Sequence, residues 1–214
     1  RLKVGDQFAL FNGDGFDYVA RVIELSKHNT SVEIVDRYEV NHESPLKITL
    51  AQGLAAGDKM DWIIQKAVEL GIQSIQPLLT ERSIVKLDRE RADKKLEHWR
   101  TVAISACEQT GRSIIPDISS PVHLTQWLSN QNPTTDSLKL ILTPAKAQNI
   151  NHLEKPSSPV VFMVGPEGGF SEKEMNLALS SSFVPVNFGK RVLRTETASI
   201  VALSIMQNLW GDFA

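Results

Sequence analysis

The sequence predicts an α/β protein built on a largely parallel sheet and preceded by a small β-rich unit. Three observations lead there. From Leu46 onward, short apolar runs alternate with amphipathic stretches of helical period, the strand-helix order that produces parallel sheets. The run VVFMV at residues 160–164 is β-branched and apolar without alternation, as a strand buried on both faces requires. Residues 1–42 differ: FALFNGDGFDYVARVIEL and TSVEIVDRYEV alternate around Asn-Gly, Asp-Gly and His-Asn turn signals and read as β-hairpins.

Taken in order, the hairpins supply too few strands to close a sheet, which fits a small β-barrel lacking its first strand or two. The chain begins at Arg1 without a methionine, so the first domain, residues 1–42, is expected to be incomplete at its N-terminus. VNHESPLKI links it to a second domain over residues 46–214. There LKITLAQG reads as a strand, and DKMDWIIQKAVELG as a helix burying Met60, Ile63, Ile64, Ala67 and Val68, with Gly71 as its C-cap. IQSIQPLL is the next strand. DRERADKKLEHWRTVAISACEQTG is a helix with Trp99, Ala103, Ala106 and Cys107 on its apolar face, ending at Gly111. After the polar loop NQNPTTDS come the strand LKLILTP, the strand VVFMVG, the helix EKEMNLAL, the strand FVPVNFG and the helix TASIVALSIMQNLWG.

Composition narrows the function classes. At 214 residues, with 42% hydrophobic and 22% charged side chains, the chain has the make-up of a soluble globular protein. No run approaches the about 18 apolar residues of a membrane helix. One cysteine excludes an intramolecular disulfide framework and fits a reducing cytoplasm. A net charge of −2 argues against holding nucleic acid by bulk electrostatics, while leaving room for a local basic patch. Residues 81–112 carry Arg82, Lys86, Arg89, Arg91, Lys94, Lys95, Arg100 and Arg112, but six acids share the stretch, so it reads first as a mixed-sign solvated helix face. The five histidines are scattered, with no H-E-x-x-H and no cysteine pair, so no metal site is expected.

Two loops after apolar strands are chemically dense. In VVFMVGPEGGFSEKE, Ser171 and Glu174 form a capping box and Phe170 can staple onto Met175, so these residues need no catalytic part. Gly165, Gly168 and Gly169 allow a ligand to approach the backbone at a strand's carboxyl end, with Glu167 among them. The pattern matches neither G-x-G-x-x-G, nor a Walker loop, nor G-x-S-x-G. In NFGKRVLRTETASI, Thr195 or Thr197 can cap a helix and Glu196 suits its first turn. Arg194 is disfavoured at a helix N-terminus unless an anion stands near it. In ACEQTGR, Cys107 reads as a core residue, while Arg112, just past the cap, is free to point into a cleft.

GPEGGFSEKE, then FGKRVLRTETA, preceded by KMDWIIQKAVELG and ACEQTGR, resembles the bacterial 16S ribosomal RNA uridine N3-methyltransferases of the SPOUT superfamily. The likeness spans nearly the whole chain, its β-rich start being similar to that family's PUA-like RNA-binding domain. Two departures stand out: the family's additional N-terminal residues are absent, and Phe188 replaces the usual leucine. The resemblance implies a SPOUT-type parallel sheet with a deep C-terminal trefoil knot, S-adenosyl-L-methionine as cofactor, a homodimer, and 16S ribosomal RNA in the assembled small subunit as substrate, without membrane or metal. It implies a cofactor site of Leu142, Thr143 and Pro144; Gly165, Pro166, Glu167, Gly168 and Gly169; and Phe188, Gly189, Val192, Leu193 and Arg194 running into Thr197 and Ala198. Arg194 is expected to stabilise negative charge developing on the uracil carbonyls, Arg112 to hold RNA phosphate or a base edge, and Glu167 to orient an arginine in the cleft, with general base as its second role. Two alternatives remain beside this reading: a SPOUT ribose 2′-O-methyltransferase and a non-catalytic RNA-binding dimer.

Overall fold

The computed structural model describes residues 2–130, 136–144 and 147–213; Arg1 and most of the NQNPTTDS loop lie outside the described residues. The chain divides into two compact units, residues 1–43 with 107–115, and residues 44–106 with 116–214.

In the first unit β1 (Gln7–Phe11), β2 (Phe16–Leu25) and β3 (Thr30–Glu39) form an antiparallel sheet in the order β1-β2-β3. The β1-β2 turn is made where the sequence marks it. Asn12 and Asp14 accept the amides of Asp14 and Phe16 at 3.1 Å, and Gly13 takes a φ of 93° that a side chain would resist. β2 is the central strand and buries Ala20 and Val22, whereas almost every residue of the edge strand β3 is exposed. The described strands form an open sheet, as expected of hairpins too few to close on themselves. Residues 107–115 complete the unit: Gly15 donates to the Ser113 carbonyl at 3.0 Å, and the Ser113 hydroxyl donates to Asp17.

The second unit is an α/β layer. Its elements are β4 (Ile48–Gly53), α1 (Lys59–Glu69), β5 (Ser74–Leu79), α2 (Arg89–Thr110, its last turn in the first unit), β6 (Asp117–Ile118), β7 (Val122–His123), α3 (Leu124–Ser129), β8 (Leu138–Leu142), β9 (Gln148–Asn149), β10 (Val160–Val164), α4 (Glu172–Ser180), β11 (Val184–Asn187) and α5 (Thr195–Trp210). All strand pairs are parallel, in the order β6-β5-β4-β10-β8-β11-β9, with β7 beside β5. Ile48, Leu50, Ile75, Leu140 and Phe162 are sealed from solvent, each worth about 1.5–3 kcal/mol of transfer free energy. The expected face of α1 is buried as read, and Gly71 follows it at φ 75°. The α1 terminus is closed from a distance, because the buried Gln207 of α5 donates to the Leu70 carbonyl at 2.8 Å. Placing β10 between β4 and β8 brings the carboxyl ends of β8, β10 and β11 side by side.

Candidate functional site

At those carboxyl ends three loops enclose a cavity of about 810 Å3. Leu142, Thr143 and Pro144 come from the end of β8, Gly165 to Gly169 from the loop after β10, and Phe188, Gly189, Val192, Leu193 and Arg194 from the stretch between β11 and α5, with Ala198 inside the helix. Of the residues expected at a cofactor site, Thr197 alone is absent from this lining.

The middle loop is held by close backbone packing. A Cβ on Gly53, at the end of β4, would stand 2.5 Å from Pro166 Cδ, so only glycine lets the β10 loop lie across that strand end. Gly169 donates to the Pro166 carbonyl at 2.8 Å and then turns through a φ of 66° into the α4 cap. The capping box forms as read: Ser171 accepts from Glu174 N at 3.2 Å, and Glu174 accepts from Ser171 N at 2.9 Å. Its other oxygen accepts from Glu81 N at 2.8 Å, so a capping carboxylate also anchors the segment that carries Arg82. Arg82 in turn donates to the Gly168 carbonyl at 3.1 Å and lines the cavity.

Glu167 does not orient an arginine among the described residues. One of its oxygens accepts from Lys59 Nζ at 2.6 Å and from Ala56 N at 3.0 Å, because the start of α1 meets this loop. Partial burial pushes the Glu167 carboxyl up, but the hydrogen bonds from Lys59 and from the Glu167 and Ala56 amides, with the Lys59 charge, outweigh it and hold the carboxyl below its ordinary range.

Neither threonine caps α5. Arg194 occupies the N-cap through its backbone, accepting from Ala198 N at 2.7 Å, and its side chain makes no cap bond. The Thr195 hydroxyl instead donates to the Gly165 carbonyl at 2.7 Å and accepts from Gln52 Nε2 at 3.0 Å, while Ser199 donates to Gln52 Oε1. Gln52 and Ser199 are fully buried. Two loops and the end of β4 are therefore joined beneath the cavity by a hydrogen-bonded cluster. The guanidinium of Arg194 is exposed and borders the cavity from the positive end of α5.

Arg112 does not line this cavity. It lies in the first unit, 3% exposed, with Nε and Nη2 donating to the Glu43 carboxylate, the former at 2.9 Å. A buried guanidinium requires such neutralisation, which overrides the free, cleft-facing pose expected from its place after the helix cap. Cys107 is buried as expected, and burial pushes its thiol up to about 11 against the opposing Arg112 charge. Among the described residues no three of His, Cys, Asp and Glu gather to hold a metal ion. Lys59 and Arg82 are site residues that the sequence reading left as a helix start and a basic stretch, since nothing local marks their partners.

The sequence matches the RNA methyltransferase domain over residues 42–207 and the RNA methyltransferase PUA domain over residues 1–35. Ribosomal RNA small subunit methyltransferase E of Buchnera aphidicola subsp. Acyrthosiphon pisum is 35% identical over 213 residues, covering 100% of this chain and 83% of that protein. The crystal structure of ribosomal RNA small subunit methyltransferase E from Neisseria gonorrhoeae, bound to S-adenosyl methionine, has a TM-score of 0.91 and 41% identity, over 100% of this chain and 87% of that one. A methyltransferase from Legionella pneumophila, in complex with the bound cofactor SAM, has a TM-score of 0.94 and 43% identity over 99% and 86% of the two chains.

Proposed function

The chain belongs to the ribosomal RNA small subunit methyltransferase E family, and from that premise we propose that it methylates N3 of one uridine in 16S ribosomal RNA. It is a methyltransferase and its cofactor is S-adenosyl-L-methionine. The residues present fit that group: the cavity falls within the about 300–1,000 Å3 of small-ligand sites, and its walls combine apolar side chains such as Leu142, Phe188 and Leu193 with glycine backbone. The observation that carries the proposal is the meeting of three strand-end loops in one cavity with the Arg194 guanidinium at its edge.

When bound, the cofactor supplies an electrophilic methyl group on a sulfonium. The chain's part is to hold and polarise. Uracil N3 is protonated at neutral pH, and as that proton passes to solvent water, charge spreads onto the two flanking carbonyl oxygens. We assign Arg194 to meet that charge, its guanidinium being added to the positive end of α5. Glu167 fixes Lys59 and the Ala56 amide against the middle loop, which makes it a positioning residue. For Arg112 a positioning part is proposed as well, clamping the end of α2 to Glu43 within the first unit. The three-stranded sheet is read as part of a PUA-like RNA-binding barrel, supported by the match over residues 1–35. A deep trefoil knot around the three loops, a homodimer, and a cytoplasmic assembled small subunit as substrate complete the proposal; the adjacency of β10, β8 and β11 supports the first.

Incubating the protein with methyl-labelled S-adenosylmethionine and unmodified small subunits, then digesting the RNA, tests this directly. The expected product is 3-methyluridine at a single position. A ribose-methylated nucleoside would replace the base assignment, and failure to bind the cofactor in calorimetry would leave a non-catalytic RNA-binding protein.

A further inference from the structure

We propose that the mouth of the cofactor cavity carries a two-sided RNA-backbone contact, in which Arg82 of the segment joining β5 to α2 and Arg191 of the loop before α5 take phosphates flanking the target nucleotide; this rests on the RNA methylation reading above. The cavity lining holds four cationic side chains, Lys59, Arg82, Arg191 and Arg194, against one carboxylate, Glu167. Lys59 already donates to that carboxylate at 2.6 Å. The three guanidinium groups have no ion-pair partner among the described residues. S-adenosylmethionine brings one carboxylate but also a sulfonium and an ammonium, so it adds positive charge to this rim. Like charges gathered at one rim repel, and the excess calls for an anion from a second ligand. With Arg194 assigned to the uracil oxygens, Arg82 and Arg191 are left for the phosphates.

The basic stretch of residues 81–112 is sorted by position. Arg91 pairs with Asp88 at 3.4 Å, Lys94 with Glu90 at 2.6 Å and Arg100 with Glu97 at 3.0 Å, while Arg112 is buried against Glu43. Arg82 and Lys86, ahead of α2, and Arg89, its first residue, have no carboxylate at such a distance among the described residues; beyond them only Lys95 lacks one. A mixed-sign solvated face therefore describes the body of α2 but not the segment that leads from the cavity into it. Arg82 is also held in place. Its Nη1 donates to the Gly168 carbonyl at 3.1 Å, the preceding amide of Glu81 donates to Glu174 at 2.8 Å, and the hydroxyls of Thr80 and Ser83 stand 2.9 Å apart. A Cβ on Gly168 would come 3.0 Å from Arg82 Cβ, so the glycine lets this segment lie against the loop after β10. The remaining guanidinium donors form the planar fork that matches phosphate oxygens. A target uridine must leave its stack to reach the cavity, which brings the backbone on either side of it to the rim. The anchor is α4 and its cap loop, not α1 or α5. A homodimer that leaves the cavity usable keeps this mouth open, because cofactor and uridine both enter there.

Salt-dependent filter binding of unmodified small subunits to the full chain tests the contact, at constant magnesium and from about 50 to 200 mM potassium chloride. Arg82→Gln keeps an N–H donor for the Gly168 carbonyl but removes the charge. It should weaken small-subunit binding about three- to tenfold and flatten the slope of log K against log salt by about 0.7–1, with Arg191→Gln acting alike and the two losses adding in the double variant. Arg82→Lys, which keeps the charge, should keep the slope. Lys94→Gln removes an equal charge that Glu90 already neutralises, and should change neither quantity. Cofactor affinity in calorimetry should stay near the wild-type value throughout. A slope unchanged by Arg82→Gln overturns the proposal, as does an equal loss in Lys94→Gln, which would show net charge alone at work. Weaker cofactor binding by Arg82→Gln with the slope intact also overturns it, by making the residue a prop for the Gly168 loop, and so does altered sedimentation, by placing Arg82 at a subunit contact. Cofactor calorimetry and small-subunit methylation by the wild type are run alongside: their failure would reject the functional reading, whereas an unchanged slope in an active protein rejects the phosphate contact alone.

Discussion

The Thr195 hydroxyl donates to the Gly165 carbonyl at 2.7 Å, tying the start of α5 to the loop after β10, and the same oxygen accepts from Gln52 at the end of β4. The cavity's walls are thus bonded to one another beneath the space they enclose. Thr195→Val keeps the shape and removes both bonds, leaving Gln52 Nε2 with the Gly53 carbonyl alone of its two acceptors. A loss of about 1–3 kcal/mol in urea unfolding is expected, with weaker cofactor binding in calorimetry. Unchanged affinity would mean that the loops hold their places without this contact.

Arg194 caps α5 through its backbone, so its side chain is available for chemistry. Arg194→Ala should lower turnover about 100- to 1,000-fold while cofactor affinity stays near the wild-type value. Single-turnover methylation and calorimetry read the two separately. A large loss of affinity with turnover intact would reject the assignment.

Glu167 yields a pH dependence whose sign follows from its depressed folded-state pKa. The carboxylate contributes stability that is fully present above its ordinary value of 4.5 and is lost as pH falls through the lower folded value. Glu167→Gln should remove this component of the acid limb in melts recorded between pH 3 and 7. At neutral pH its melting temperature should fall by about 2–4 °C for each kcal/mol lost with the Lys59 bond. An acid limb identical to wild type would show that the pair contributes nothing.

Arg112 and Glu43 form a nearly buried ion pair in the first unit, with side chains 4% and 22% exposed. Arg112→Met alone leaves the Glu43 carboxylate without its cation and should destabilise by about 3 kcal/mol in urea unfolding. The double change Arg112→Met with Glu43→Met should recover most of that loss. Additive losses in the double mutant would argue that the two side chains act independently.

Cys107 should resist alkylation. With its thiol pushed up to about 11 and no exposed surface, it should react with iodoacetamide at pH 8 only after unfolding, as mass spectrometry of native and denatured samples can read. The raised folded pKa gives the complementary prediction: stability from keeping the thiol neutral is complete below the ordinary value of 9.0 and fades as pH rises through about 11. Rapid labelling of the native protein at pH 8 would contradict the buried placement.

What could be read from residue order was what is local in the chain. The Ser171–Glu174 capping box spans four residues, the buried face of α1 repeats every turn, and VVFMV declares a strand covered on both sides; each follows from chemistry between near neighbours or from periodicity. The two-residue strands β6, β7 and β9 and the single-turn helix Ile150–His152 are too short for any period to show. By itself, then, the sequence determined the β-hairpins, the α/β alternation and the two glycine-bearing loops with their charged residues. Only the tertiary structure decided which partner each charge takes. Lys59 and Glu167 are 108 positions apart, Arg112 and Glu43 69, and Thr195 and Gln52 143. Pairings at such separations are chosen by sheet order and burial, because a polar group enclosed by the fold bonds to whatever donor or acceptor the packed elements bring beside it.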